Sequence, residues 1–529
     1  MNKSISKSLL FLLFIGLMAC KSTPESSRPK LQVLVVVDGL RADLLQRYDE
    51  AFQHGLRRLL DQGAIFSKAY QDHGMTVTAA GHTSISTGVF PKTHGIVANS
   101  WKEIGPEGWR EAYAVEDPEY QIVGMPDEEG RSPRKIEVKG MADWLKAQHP
   151  DSKVVSISGK DRAAISMATH STGHVYWFDD NFAGFGTSTY YRNQNPAWVT
   201  DFNSQLIANY FNDVWSCDVP ENLRHLARKD SAAYEADGKF IAFPHKMSVA
   251  WANEGIDLND DEVKASWMED QPMVDKLVFD FAKEAVKALA LGKQDSPDFL
   301  ALGLSATDRV NHAYGPLSLE AMDNLLKLDK ELGLLLDYLD EQVGKDQYVL
   351  ALSADHGFND APEHRQAQGK VGLRVTDEEI EVLVGKISPL DFVNDYAKAL
   401  VKARQILDAT GFVARTFTAE EMEADAGADS LHILWKRSYF PGRVASELAE
   451  IGLVAIEVTE GTETRTFGSS HGTHYAYDRQ VPIIFYGGGI KPGVYGSKAR
   501  TVDIAPTMSQ LFNIPFPDDL DGKVLPLEK

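Results

Sequence analysis

The sequence predicts a doubly wound α/β fold: a mostly parallel central sheet with helices on both faces and inserted cap segments. Three observations predict it. Short continuous apolar runs recur along the chain, segments with helical spacing of Leu and Phe lie between them, and 529 residues suffice for one large core with insertions. A hydrophobic fraction of 43%, with 10% aromatic and 25% charged residues, excludes collagen, coiled coil and wholesale disorder. With 54 basic against 76 acidic residues and a net charge of −22, the chain lacks the footprint of a nucleic-acid binder. A small anionic substrate stays possible, since a few fixed cations or metal ions reverse the potential inside an acidic protein.

In chain order, Lys3 and Lys7 precede an apolar run from Leu9 to Ala19, and Leu17-Met18-Ala19-Cys20 closes it as a lipobox does. Residues 1–19 read as a bacterial lipoprotein signal, with Cys20 the lipid-bearing first residue of the mature chain. A periplasmic or cell-surface monomer, touching a membrane only through that anchor, is expected. Lys21 to Lys30 reads as a tether, so residues 20–30 join the anchor to a catalytic domain over 31–529. Cys217, the second of two cysteines, has no partner for an internal disulfide. Leu31 to Val37 is rich in Val and suits a central parallel strand covered on both faces. Arg41 to Gln62 has helical spacing. Val154 to Ile157, Phe299 to Leu304, Tyr348 to Leu352 and Val481 to Tyr486 read as further buried strands. Met141 to Gln148, Leu319 to Leu339 and Val502 to Phe512 read as helices. Two stretches break the alternation, at about 176–250, dense in Trp, Tyr and Phe, and at about 360–465, more charged; both read as insertions.

Ligands of open α/β sheets gather at the carboxyl ends of strands, and those loops concentrate metal-ligand residue types. The first strand ends in Asp38; later ones lead to Asp308 and His312, and to Asp355 and His356; His471 precedes the last strand. Each alone has a plain alternative, a helix cap, a surface pair or a turn. Together, three carboxylates and three imidazoles suit zinc and are too many for one tetrahedral ion with an open position, so two ions are expected. His474 competes with His471 as a ligand. A hydroxyl nucleophile is supplied by Thr78, followed by small residues that can open a helix and aim backbone N–H groups at an anion; the alternative is that Thr78 only caps that helix.

These segments resemble the alkaline phosphatase superfamily motif by motif, in Val35-Val36-Val37-Asp38-Gly39, Thr78-Ala79-Ala80-Gly81-His82, Phe90-Pro91-Lys92-Thr93-His94-Gly95, Thr307-Asp308-Arg309-Val310-Asn311-His312, Ser353-Ala354-Asp355-His356-Gly357 and His471-Gly472. The resemblance runs from Leu31 to near the C-terminus and is weakest at about 360–465. Gly159-Lys160-Asp161-Arg162-Ala163, Trp177-Phe178-Asp179-Asp180 and Thr187-Ser188-Thr189-Tyr190-Tyr191 are similar to the phosphate-irrepressible alkaline phosphatases of the PafA type. The resemblance implies one zinc on Asp308, His312 and His471, and another on Asp38, Asp355 and His356. It also implies Thr78 as the nucleophile, bound to the second zinc and phosphorylated in turnover. Asn99, Lys160 and Arg162 would bind phosphoryl oxygens, the two cations favouring monoesters. A di-zinc alkaline phosphatase releasing inorganic phosphate from varied monoesters is expected, the alternative being a phosphodiesterase or nucleotide pyrophosphatase of the same superfamily. His82 and His94 read as structural, and His364 as a possible substrate contact.

Overall fold

The computed structural model describes residues 29–251 and 255–528. The signal peptide, Cys20 and most of the tether lie outside the described residues. Among the described residues no helix is long and apolar enough to cross a membrane. The central sheet is built from β1 (Leu31–Val37), β2 (Ala64–Tyr70), β3 (Val154–Ser158), β4 (His174–Asp179), β5 (Gly184–Gly186), β6 (Asp298–Leu304), β7 (Tyr348–Ser353), β8 (Ile483–Gly487) and β9 (Gly493–Arg500). Its order is β9-β2-β8-β7-β1-β6-β3-β4-β5. The run from β7 to β4 pairs in parallel throughout. β8 runs against both its neighbours, and β5 runs against β4.

Alternate residues of β1 enter two separate cores, as a strand covered on both faces requires. Leu31, Val33, Val35 and Val37 pack with helices α1 (Ala42–Arg47) and α2 (Gly55–Gln62). Leu34 and Val36 pack on the other face with Ile85 of α3 (Thr78–Thr87) and Leu145 of α4 (Met141–Gln148). Further along the chain come α5 (Asp161–Ala168), α6 (Met273–Leu289), α7 (Ala306–Tyr314), α8 (Leu319–Leu339) and α9 (Ile504–Leu511). α6 and α8 join the first face, and α9 the second.

Four expectations are refined. The helix read over Arg41 to Gln62 is two helices, because the Asp329 carboxylate of α8 accepts from the N–H groups of Gln53, His54 and Leu56 at 2.8, 2.9 and 2.7 Å and starts α2 afresh. The aromatic stretch expected as an insertion from about 176 begins inside the sheet: Tyr176, Phe178 and Phe185 belong to β4 and β5 and pack on Phe281 of α6 or on one another. Residues up to Gly186 therefore belong to the sheet. The strand taken as last is followed by β9, an edge strand that is mostly exposed and carries no apolar run. Two hairpins, Ser100–Gly105 with Gly108–Tyr113 and Glu116–Ile122 with Met125–Arg131, were not foreseen. Their second strands are largely exposed, while Trp101 and Ile122 of the first strands are buried. Residues 377–458 carry a small core of their own, around Ile387, Leu407, Val413 and Leu453.

Candidate active site

The carboxyl end of the parallel strands gathers the predicted residues. Asp38 follows β1, and its N–H bonds Leu304 O at 2.9 Å. Gly39 then turns with φ +75°, where a Cβ would press on Asp308 Cα at 3.2 Å, and its N–H donates to Asp355 Oδ1 at 3.1 Å. Asp308 and His312, one turn apart on α7, share a face. Asp355 and His356 follow β7. Because β8 is antiparallel, the loop before it reaches this same end of the sheet and brings in His471.

Two clusters of candidate metal donors result, Asp308 with His312 and His471, and Asp38 with Asp308 and His356. His312 Nε2 and His471 Nε2 lie 3.3 and 3.4 Å from Asp308 Oδ1, and His356 Nε2 lies 3.2 Å from Asp38 Oδ1. The second cluster thus contains Asp308 where Asp355 was expected. Lys160 Nζ lies between Asp38 and Asp308, 2.6 Å from Asp38 Oδ2 and 2.5 Å from Asp308 Oδ2. Asp355 Oδ2 lies 3.5 Å from His356 Nε2 but closer, 3.1 Å, to His82 Nδ1.

The three imidazoles share one arrangement. His356 Nδ1 bonds Gly357 O at 2.9 Å, His312 Nδ1 bonds Ser469 O at 2.9 Å and His471 Nδ1 bonds Thr76 O at 2.8 Å. A carbonyl only accepts, so each ring donates from Nδ1 and turns Nε2 to the carboxylates, the orientation a metal ligand needs. Arg465 Nη1 also lies 3.0 Å from His312 Nδ1, but an exposed guanidinium can turn to water whereas the carbonyl cannot. Asp38 Oδ1, Asp308 Oδ1, Asp355 Oδ2 and His356 Nε2 are buried without a hydrogen-bond partner among the described residues. Such orphans are costly unless a cation completes them. The donor set fits two dications of the zinc class.

Electrostatics agree. Burial and Asp308 both oppose ionisation of Asp38, yet Lys160 and His356 hold it well below the usual carboxylate range. Asp308 is likewise lowered against burial, by Lys160 and His312. Burial disfavours the His356 cation, but Asp355 and Asp38 raise it to about 9. Burial takes His312 down to about 3, so it is a neutral donor. The clustered carboxylates call for positive charge.

Thr78 is the first residue of α3, and the whole helix is buried. Its neighbours fix its place. Thr76 accepts from His471, while His82, one turn on, brings Nδ1 within 2.9 Å of Thr78 O and 3.1 Å of Asp355 Oδ2. Gly81 lets α3 come this close, because a Cβ there would stand 2.2 Å from Asp355 O. Asn99 Oδ1 accepts from Ala79 N at 2.9 Å, leaving the side-chain NH₂ as its donor. Arg162, on α5, lines one cavity with Lys160. Tyr113 and Arg131, from the unforeseen hairpins, donate to Asp161 at 2.6 and 2.9 Å and brace that turn. His474 is turned away, with Nδ1 2.8 Å from Glu457 Oε2. His94 bonds Ser84 Oγ at 3.0 Å inside the fold, and His364 stays outside both clusters. Sequence reasoning missed Tyr113, Arg131 and the contact of His82 with Asp355; only the i, i+4 spacing of His82 from Thr78 hinted at the last.

Comparison with known proteins agrees with this geometry. Residues 32–474 match the type I phosphodiesterase / nucleotide pyrophosphatase family. The chain is 33% identical to alkaline phosphatase PhoV of Synechococcus elongatus, over 94% of this chain and 92% of that one. It is 32% identical to alkaline phosphatase PafA of Elizabethkingia meningoseptica, over 98% of each. The crystal structure of wild-type PafA superposes with a TM-score of 0.82 at 30% identity, covering 94% of this chain and 98% of that one. The chain therefore belongs to the type I phosphodiesterase / nucleotide pyrophosphatase family, and within the alkaline phosphatase superfamily it is an enzyme of the PafA-type branch.

Proposed function

We propose that the protein is an alkaline phosphatase that hydrolyses phosphate monoesters through a phosphothreonine on Thr78, with two zinc ions as its metals. Asp308, His312 and His471 would hold one ion and Asp38, Asp355 and His356 the other, with Thr78 beside it. Zinc supplies Lewis acidity that favours an ionised hydroxyl and stabilises a departing alkoxide. The chain's own groups do the positioning. The Thr78 hydroxyl, at the start of α3, attacks phosphorus in line. The Asn99 NH₂, the Lys160 ammonium and the Arg162 guanidinium take the equatorial oxygens as charge moves onto them. Water then hydrolyses the phosphothreonine by the reverse geometry.

The carrying observation is the pair of carboxylate–imidazole clusters with Lys160 at 2.6 Å from Asp38 and Arg162 lining the same cavity. Two cations at the phosphoryl site favour the doubly charged monoester over a diester, which lacks one of those oxygens. The test is turnover of an aryl phosphate against its methyl aryl diester, with zinc-loaded parent and the Lys160→Ala, Arg162→Ala double variant. A monoester preference that falls by about 10²-fold or more in the variant is expected. A diester preference indifferent to the change moves the protein to the phosphodiesterase or nucleotide pyrophosphatase reading. Export as a lipoprotein anchored through Cys20 belongs to the same proposal; palmitate labelling that survives Cys20→Ser would refute it.

A further inference from the structure

A cavity of about 660 Å³ opens from the site, and Lys160, Arg162, Asp308 and His312 form its inner end. Its outer wall includes the rings of Phe240, Trp251 and Trp267. A phosphoryl group fills only a small part of such a volume, so most of it is left for what the phosphoryl group is attached to. The cavity is bordered by neither Thr78, Asp355 nor His356. Its lining includes Asp308 and His312 and no residue of α3. In-line transfer puts the leaving oxygen opposite the nucleophile, which is this side.

The wall is built and not incidental. The Trp251 and Trp267 rings meet edge to face, with centroids 5.6 Å apart and planes at 77°, and Trp267 Nε1 donates to Asn212 O at 3.1 Å. That leaves the Trp251 and Phe240 side chains half-buried at the cavity. Gly468 N bonds Tyr234 O at 2.6 Å, which ties this wall to the loop that carries His471. At the rim Arg309 is held by Glu269 and by Asp270, the latter at 3.0 Å, so that cation is already paired. The ring faces of Phe240 and Trp251 are then the apolar recognition element of a wall that also carries Arg465, Asp237 and Gln271.

We infer that this cavity is the leaving-group subsite and that it takes alcohols bearing a planar ring, of aryl or nucleobase size, stacked on Phe240 and Trp251. The inference rests on the monoesterase reading above. Ethyl phosphate, 2-phenylethyl phosphate and adenosine 5′-monophosphate all release primary alcohols, so kcat/KM among them reports the subsite more than leaving-group acidity. The zinc-loaded parent is expected to prefer at least one ring-bearing ester by roughly tenfold. That ratio falls toward one in Trp251→Ala and in Phe240→Ala and is partly kept in Trp251→Phe; which ester gains more tells aryl from nucleobase. Independently of turnover, saturation-transfer NMR should show ring protons of 2-phenylethanol or adenosine receiving magnetisation from the parent and less from Trp251→Ala. Equal kcat/KM for all three esters in the parent, or a ring preference unchanged in both alanine variants, overturns the subsite while leaving the monoesterase reading intact. Turnover of none of them overturns that reading and the subsite with it.

Discussion

Glu320 and His245 meet at 3.0 Å in full burial, and their protonation decides what that contact is. Burial pushes the Glu320 carboxyl up to about 8 and the His245 ring down to about 4. At neutral pH both are uncharged, and the contact is a hydrogen bond instead of an ion pair. The folded state keeps a Glu320 proton that the unfolded chain loses above 4.5, so this group's contribution to stability declines as pH rises toward about 8. His245 acts oppositely, between about 4 and its ordinary 6.5. Of this pair, only the Glu320 effect is left between 6.5 and 8. Glu320→Gln should therefore lessen the fall in urea midpoint over that window, and a parent-like slope in the variant contradicts the assignment. Nearer the chemistry, Thr78→Ala should lower kcat by roughly 10⁴-fold or more while metal content by elemental analysis stays near that of the parent. Appreciable turnover in that variant removes the phosphothreonine route.

At the scale of elements, α3 shows how packing overrides propensity. Ala at an interior helix position is favoured over Gly by about 1 kcal/mol, so propensity alone predicts that Gly81→Ala stabilises. The added Cβ would stand 2.2 Å from Asp355 O and 2.7 Å from Asp355 Cβ, and such overpacking costs about 1–3 kcal/mol. The substitution should lower the melting temperature and reduce kcat together, by shifting Thr78 and Asp355 apart. A variant more stable than the parent with unchanged kcat refutes the close approach. The strands and helices readable in advance were those with strong periodic or continuous apolar patterns: Leu31–Val37 and Leu319–Leu339 have the bounds the sequence suggested. β9 and the second strands of the hairpins over 100–131 were illegible because their side chains face mostly water, and nothing in an exposed edge demands an apolar residue. The grouping of Asp38, Asp308, His312, His356 and His471 was legible because Asp and His at strand ends stand out against apolar runs. The turn of Asp355 toward His82 was not, since it depends on how closely two distant segments pack.

For the whole molecule, like charges gathered at one end of the sheet make stability depend on cations. Chelation of the purified protein should lower its melting temperature, and zinc should restore it, because an ion bound only by the folded state stabilises in proportion to log concentration. A melting temperature indifferent to both contradicts the two clusters as metal sites. The direction of β8 has a consequence for synthesis. His471 comes from the segment that precedes β8, and that segment reaches the site only when β8 pairs against β7. Asp38 emerges well before His471 from whatever channel the chain leaves, so the cluster of Asp308, His312 and His471 lacks its last imidazole until residue 471 and β8 have followed: the strand that runs against its neighbours acts as the clasp of that cluster, fastened last.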